Sequence, residues 1–180
     1  MLHRALLATL LVSVPILGCT QAAPPAPAQE EATPSIEGVW KITEVVTTGA
    51  NAATNASPQP SLWIFARGHY SQIVINGTQP RPSYAPAKDP DKLTDAEKIA
   101  RFEQWNLIAA NSGTYEINGT TLTRRPIVAK NVTVMTTDPP LVAEFALDGN
   151  TLVLMTKSAA GQPASETRTT LTRVPSSRSR

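Results

Sequence analysis

The chain has 180 residues, 41% of them hydrophobic and 17% charged, with 16 prolines and a formal net charge of +2. That length suits one globular domain behind a leader, and removal of the first 18 residues takes Arg4 away, leaving 15 bases against 14 acids. No basic stripe with interleaved aromatics is present, so a nucleic-acid partner is set aside.

Residues 1–18 read as a signal peptide. His3 and Arg4 form a short basic start, and Ala5 to Leu17 is an apolar run of 13 residues, too short to span a bilayer as a stable helix. The run closes on Ile16-Leu17-Gly18-Cys19, which resembles the lipobox of bacterial lipoproteins. In that family the cysteine is acylated and the chain is cut just before it; the alternative is a plain secretory cut near Ala22 or Ala23. Cys19 is the single cysteine, and an exported free thiol so close to a cleavage point has no other evident use. The resemblance makes the membrane a partner through an N-terminal lipid anchor, each buried CH₂ adding about 0.8 kcal/mol. Thr20 in place of Asp implies, by likeness to Gram-negative lipoprotein sorting, the outer membrane of the cell envelope, facing the periplasm. Residues 19–35 are rich in Pro, Ala, Gln and Glu, lack apolar periodicity, and read as an extended tether.

The domain proper is expected over residues 36–174, with a frayed tail at 175–180. Its first strand runs through Ser35 to Val46, with Ile36, Gly38, Trp40 and Ile42 on one face and Val39, Lys41, Thr43 and Val45 on the other. Gly38 suits close backbone approach, and Trp40 suits the end of a core, where its N–H can find a partner. Thr47 to Pro60 reads as loop. Leu62 to Ala66 and His69 to Ile75 read as strands joined by Arg67-Gly68, a weaker hairpin signal than Asn-Gly. After a proline-rich loop, Thr94 and Glu97 have capping-box spacing and open a helix of roughly 16 residues with Ile99, Phe102, Trp105 and Ile108 on one side. So short a helix needs packing to persist, so this side is expected to cover an end or a flank of the sheet.

Thr114 to Ile117 and Thr120 to Arg125 flank Asn118-Gly119, which suits a type I′ turn. Ile127 to Met135 is expected to continue extended past Pro126. Leu141 to Leu147 alternates well, Asp148-Gly149-Asn150 turns it into Leu152 to Thr156, and Glu166 to Val174 is the last strand. The fold expected is all-β: an antiparallel up-and-down barrel of about eight strands with one inserted helix, closed so that no edge is left unpaired.

The order of parts resembles the lipocalin-like proteins of the calycin superfamily, in particular the bacterial lipocalin-like domain with a helix inserted mid-barrel. The residues that carry this are Gly38-Val39-Trp40, Ser112 to Gly119, Leu147 to Leu152 and Leu171 to Val174. The resemblance implies a barrel end closed by Gly38, Trp40 and a late basic residue lying across the Trp, with Arg173 the first match and Arg168 the second. The family's Thr-Asp-Tyr turn and its usual disulfide are absent.

Little in the sequence points to catalysis. After processing one histidine remains, His69, which argues against zinc sites and against Cys–His or Ser–His–Asp nucleophiles. No catalytic residue, metal or cofactor is assigned. Glu44, Glu103, Glu116 and Glu144 read as solvated, and the sequons at Asn55, Asn76, Asn118 and Asn131 as turn composition. The function expected is binding of one small, largely apolar molecule inside the barrel, with Trp63, Phe65, Tyr70, Phe102, Trp105 and Tyr115 as candidate contacts. Two alternatives stand beside it: a calycin-type isomerase or cyclase working through positioning of a hydrophobic substrate, and a filled barrel serving as an interaction module, marked by an apolar patch outside.

Overall fold

The computed structural model describes residues 35–81, 89–136 and 138–176. The expected signal peptide, Cys19, the tether up to residue 34 and residues 177–180 lie outside the described residues. The described chain forms β1 (Gly38–Gly49), β2 (Ala53–Asn55), β3 (Leu62–Ala66), β4 (His69–Ile75), α1 (Asp95–Asn106), β5 (Ile108–Asn118), β6 (Thr121–Ala129), the one-turn α2 (Val132–Met135), β7 (Leu141–Asp148), β8 (Thr151–Lys157) and β9 (Ser165–Arg173). From β3 to β9 each strand pairs antiparallel with the next, and β1 pairs with both β3 and β9. This is a closed eight-stranded barrel; β2 is an extra strand that pairs with the far part of β1.

Alternation puts Trp40, Ile42, Trp63, Phe65, Tyr70, Leu122, Leu152, Leu154 and Leu171 into one buried cluster. A bulge in β1 corrects the sequence reading there. Ile42 pairs with Leu171 but Glu44 with Thr170, so Thr43 is an extra residue and the parity of the strand changes. Val45, expected on the face opposite Trp40, therefore packs against the same core. A second bulge lies in β6, where Gly113 faces Pro126 while Ser112 faces Val128. A Cβ on Gly113 would stand 2.0 Å from the Arg125 carbonyl oxygen, so only glycine fits.

The turns divide the barrel into two unlike ends. Three two-residue hairpins, between β3 and β4, β5 and β6, and β7 and β8, lie at the end where β1 starts and β9 finishes. Arg67 and Gly68 both have positive φ, as a type I′ turn requires, although Arg-Gly is the weaker signal. Asn118 instead pairs with Thr121, and the turn is Gly119-Thr120 with positive φ at Gly119, the type II′ pattern rather than the expected I′. The β4–β5, β6–β7 and β8–β9 connections are longer and gather at the opposite end.

The inserted helix differs from expectation in length and packing. The capping box is present: the Glu97 amide donates to Thr94 Oγ1 at 3.3 Å and the Thr94 amide to a Glu97 carboxylate oxygen at 2.8 Å. The helix stops at Asn106, and Ile108, expected on its apolar side, is instead paired with Ile75 in β5. Seven rungs of ladder with β4 outweigh one more helical turn. Ile99, Phe102 and Trp105 remain 58%, 64% and 57% exposed, so α1 does not seal the barrel with the side expected to cover it. Residues 127–129 extend β6 as expected, but 132–135 turn into α2, capped by Asn131, whose side chain accepts from the Thr133 amide. Among the described residues no helix is long and apolar enough to cross a membrane.

Candidate functional site

The hairpin end is sealed by packing. Trp40 is fully buried beside Ile36, Phe65, Leu122, Leu152 and Leu171, and its Nε1–H donates to the Ile36 carbonyl at 2.7 Å. Arg173, paired with Trp40 across β1 and β9, holds its guanidinium 4.1 Å from the indole centroid and donates to the Glu37 and Ser35 carbonyls. Gly38 makes room for it: a Cβ there would lie 2.5 Å from the Arg173 Nη1. The three residues matched to barrel closure thus meet at one point.

Towards the long-loop end the lining becomes polar. Thr47 and Thr167 share a hydroxyl hydrogen bond of 3.0 Å, and both are only half-buried. Gln72, Val74, Phe145, Thr156 and Thr169 lie on inward-facing strand positions yet keep partial exposure. An inward side chain that is still wetted means that solvent enters this half of the barrel. A cavity of about 520 Å³ straddles the rim, lined by Asn76, Ala109, Asn111, Lys130, Asn131 and Val134 among others. Its volume lies in the range of small-ligand sites.

Between the sealed and the wetted halves sits a polar cluster. Asn111 Oδ1 accepts from the Tyr70 hydroxyl at 2.6 Å, and Gln72 Oε1 accepts from Arg124 Nη1 at 2.6 Å. Arg124 is 6% exposed, and its guanidinium lies 4.6 Å from the Trp63 ring centroid and 5.6 Å from that of Tyr70. No carboxylate of the described residues pairs with it; the ion pairs Lys92–Asp89 and Lys98–Asp95 are on the surface. Its Nε–H and the Trp63 Nε1–H are both buried without a protein partner. Burying a guanidinium without a counter-charge costs several kcal/mol, offset only in part by the amide and the two ring faces.

Burial leaves its mark on the ionisations. It pushes the Arg124 guanidinium down to about 10, a shift that the Tyr70 hydroxyl opposes, so the side chain is still a cation at neutral pH. Burial also raises Tyr70 against the opposing effect of Arg124. Tyr115 is raised by burial first and by Glu37 second, while a backbone hydrogen bond from Gly68 works the other way.

Of the candidate contacts named from sequence, Trp63, Phe65, Tyr70 and Tyr115 converge inside. Trp63 and Phe65 have ring centroids 5.9 Å apart, and Phe65 meets Tyr115 edge-on at 5.2 Å. Phe102 and Trp105 do not join them. Both are exposed on α1, where Lys130 Nζ donates to the Trp105 carbonyl and lies 5.5 Å from its ring. Their helical spacing resembled a covering face, but the barrel supplies no surface that buries it. Arg124, Gln72 and Asn111 are the residues that sequence reasoning missed. A signal existed for Arg124: it is two residues after Leu122 on a strand and so must share the inward face. Gln72 stands in the same relation to Tyr70.

Among the described residues no group of three His, Cys, Asp or Glu side chains is placed to hold a metal. His69 is exposed, with Nδ1 3.0 Å from the Arg67 carbonyl oxygen.

No protein-family model matches the chain, and neither does any curated protein. A solved structure of an uncharacterized protein from Bacteroides eggerthii DSM 20697 is similar over 77% of this chain and 98% of its own, with 8% identity and a TM-score of 0.41. A likeness at that level carries no argument about function.

Proposed function

We propose that the protein binds one small molecule inside its barrel, entering at the long-loop end, and that it does so while tethered by lipid at Cys19 to the outer membrane, facing the periplasm. The observation that carries the binding reading is the division of the interior: a hairpin end packed shut around Trp40, and a loop end where inward Gln72, Thr47 and Thr167 are reached by solvent. Loops gathered at the mouth of a rigid barrel are a usual place for recognition. The lining, more polar than a wholly apolar ligand requires, favours a molecule with a polar end. Native mass spectrometry of the chain exported to a bacterial periplasm and purified without detergent tests this. A stoichiometric adduct that leaves on denaturation is expected, and a clean apo mass counts against it.

A second reading has its own support. Leu62, Ile64 and Ile73 are exposed on the outer wall of the adjacent strands β3 and β4, with Leu62 and Ile73 directly paired. An outer apolar strip is what a barrel used as an interaction module would show. An apo mass together with a co-purifying protein would favour that reading over ligand binding.

A further inference from the structure

Helix α1 is amphipathic the wrong way round. Its half-buried flank is Ala100, Arg101 and Gln104, whereas Ile99, Phe102 and Trp105 stand in solvent. A surface helix of a globular domain does the reverse and lays its apolar stripe on the core. At the C-terminal end of α1, Lys130 Nζ donates to the Trp105 carbonyl and lies 5.5 Å from the Trp105 ring. Just beyond Lys130, α2 exposes Val132 and Met135. Asn106 and Val132 line the same rim cavity, so the two helices adjoin at the loop end of the barrel.

From this arrangement we infer that α1 and α2 form a membrane-resting face, with Ile99, Phe102 and Trp105 entering the headgroup layer of a bilayer. This rests on the reading of Cys19 as a lipid anchor and says which surface of the domain meets the lipid. Five apolar side chains fall well short of the roughly 20–30 residues a side of a stable protein interface. A surface always within reach asks less, because tethering makes the contact intramolecular. The reach is sufficient. Residues 19–34 span at most about 50 Å at the rise of an extended proline-rich chain. They lead to Ser35 at the hairpin end, where its carbonyl accepts from Arg173. Strand β1, with 12 residues, is about 40 Å long and rises less than that along the barrel axis, because strands tilt. The loop end can therefore meet the bilayer although the chain enters at the opposite end. Trp105 beside Lys130 also has interfacial chemistry, an amphipathic ring and a long cationic side chain at headgroup level. Lys98 is paired with Asp95 at 3.0 Å, so apolar burial rather than charge drives the contact. So small a face does not hold an untethered chain to lipid; it adds to the anchor and does not replace it.

Tryptophan quenching tests this, because Trp40 and Trp63 are buried and Trp105 is the one of three that an aqueous quencher reaches. The chain from Cys19 onward is coupled through its single thiol to a maleimide phospholipid in vesicles of phosphatidylethanolamine and phosphatidylglycerol. Coupling supplies the tether whether or not Cys19 is acylated in cells, so failure here is distinct from failure of the anchor reading. Quenching by acrylamide, present in the uncoupled chain, is expected to be largely lost on the vesicles. Phospholipids brominated high on the acyl chain should quench instead. A double variant, Ile99→Ser with Phe102→Ser, alters only exposed side chains and should keep its urea midpoint while restoring acrylamide quenching on vesicles. Undiminished acrylamide quenching of the coupled, unaltered chain overturns the inference and leaves the face to a protein partner. Protection already present before coupling overturns it in favour of a second copy of the chain. Protection that persists in the double variant also overturns it, since crowding at the vesicle surface would then be the cause.

Discussion

At the scale of single residues, Trp40 and Arg124 are opposite solutions to burying a polar aromatic or a charge. Trp40 has its indole N–H satisfied by Ile36 and its face covered by Arg173, a cation that keeps its own contacts with backbone carbonyls at the barrel end. Trp40→Ala removes the largest fully buried side chain, and a loss of about 3–5 kcal/mol is expected from urea denaturation. A loss under one kcal/mol would mean that the hairpin end closes without it. Arg124, by contrast, is deep and incompletely satisfied, with its Nε–H unpartnered and its guanidinium against two ring faces. The tyrosines report the same interior: Tyr70 and Tyr115 both ionise above the ordinary value of 10 because burial disfavours the phenolate. An absorbance titration should therefore show them ionising only after the tyrosinate transition of the unfolded chain is well under way.

At the scale of elements, the two bulges and the inserted helix are where local pattern and tertiary structure part. The β6 bulge depends on Gly113, and Gly113→Ala should cost about 1–3 kcal/mol by forcing the Arg125 carbonyl away, measured as a lower urea midpoint. Helix α1 behaves differently. It buries no residue and meets the barrel beside β5 and through Lys130 at the end of β6, so its capping box holds the helix without holding the fold. Thr94→Ala should weaken the helix by about 1 kcal/mol. Hydrogen exchange should show faster amides across Asp95–Asn106 and unchanged protection in β1 and β9, with the global urea midpoint unmoved. A fall in global stability would show instead that α1 is part of the cooperative core. The helix start was legible because a capping box is local chemistry. Its end was not, since Ile108 has a helical spacing in the sequence and a strand partner only in the fold.

At the scale of the whole molecule, closure of β1 on β9 joins residues more than a hundred positions apart and leaves the eight barrel strands without a free edge. The tether proposed to precede it makes a separate prediction. Cys19→Ser should abolish incorporation of a labelled acyl chain and release the protein from the membrane fraction; retained labelling would remove the lipid anchor from the proposal. The sequence by itself determined the all-β class, the hairpin order and the cluster around Trp40, because alternation and turn residues act over a few positions and each strand carries its own inward face. Only the tertiary structure decided which half of that interior is dry and which is wet. Bulges at Thr43 and Ile127 shift parity by one residue, and the placement of Arg124 against Trp63, Tyr70 and Gln72 joins three strands. Contacts of that kind depend on barrel register across strands, which no single stretch of the chain encodes.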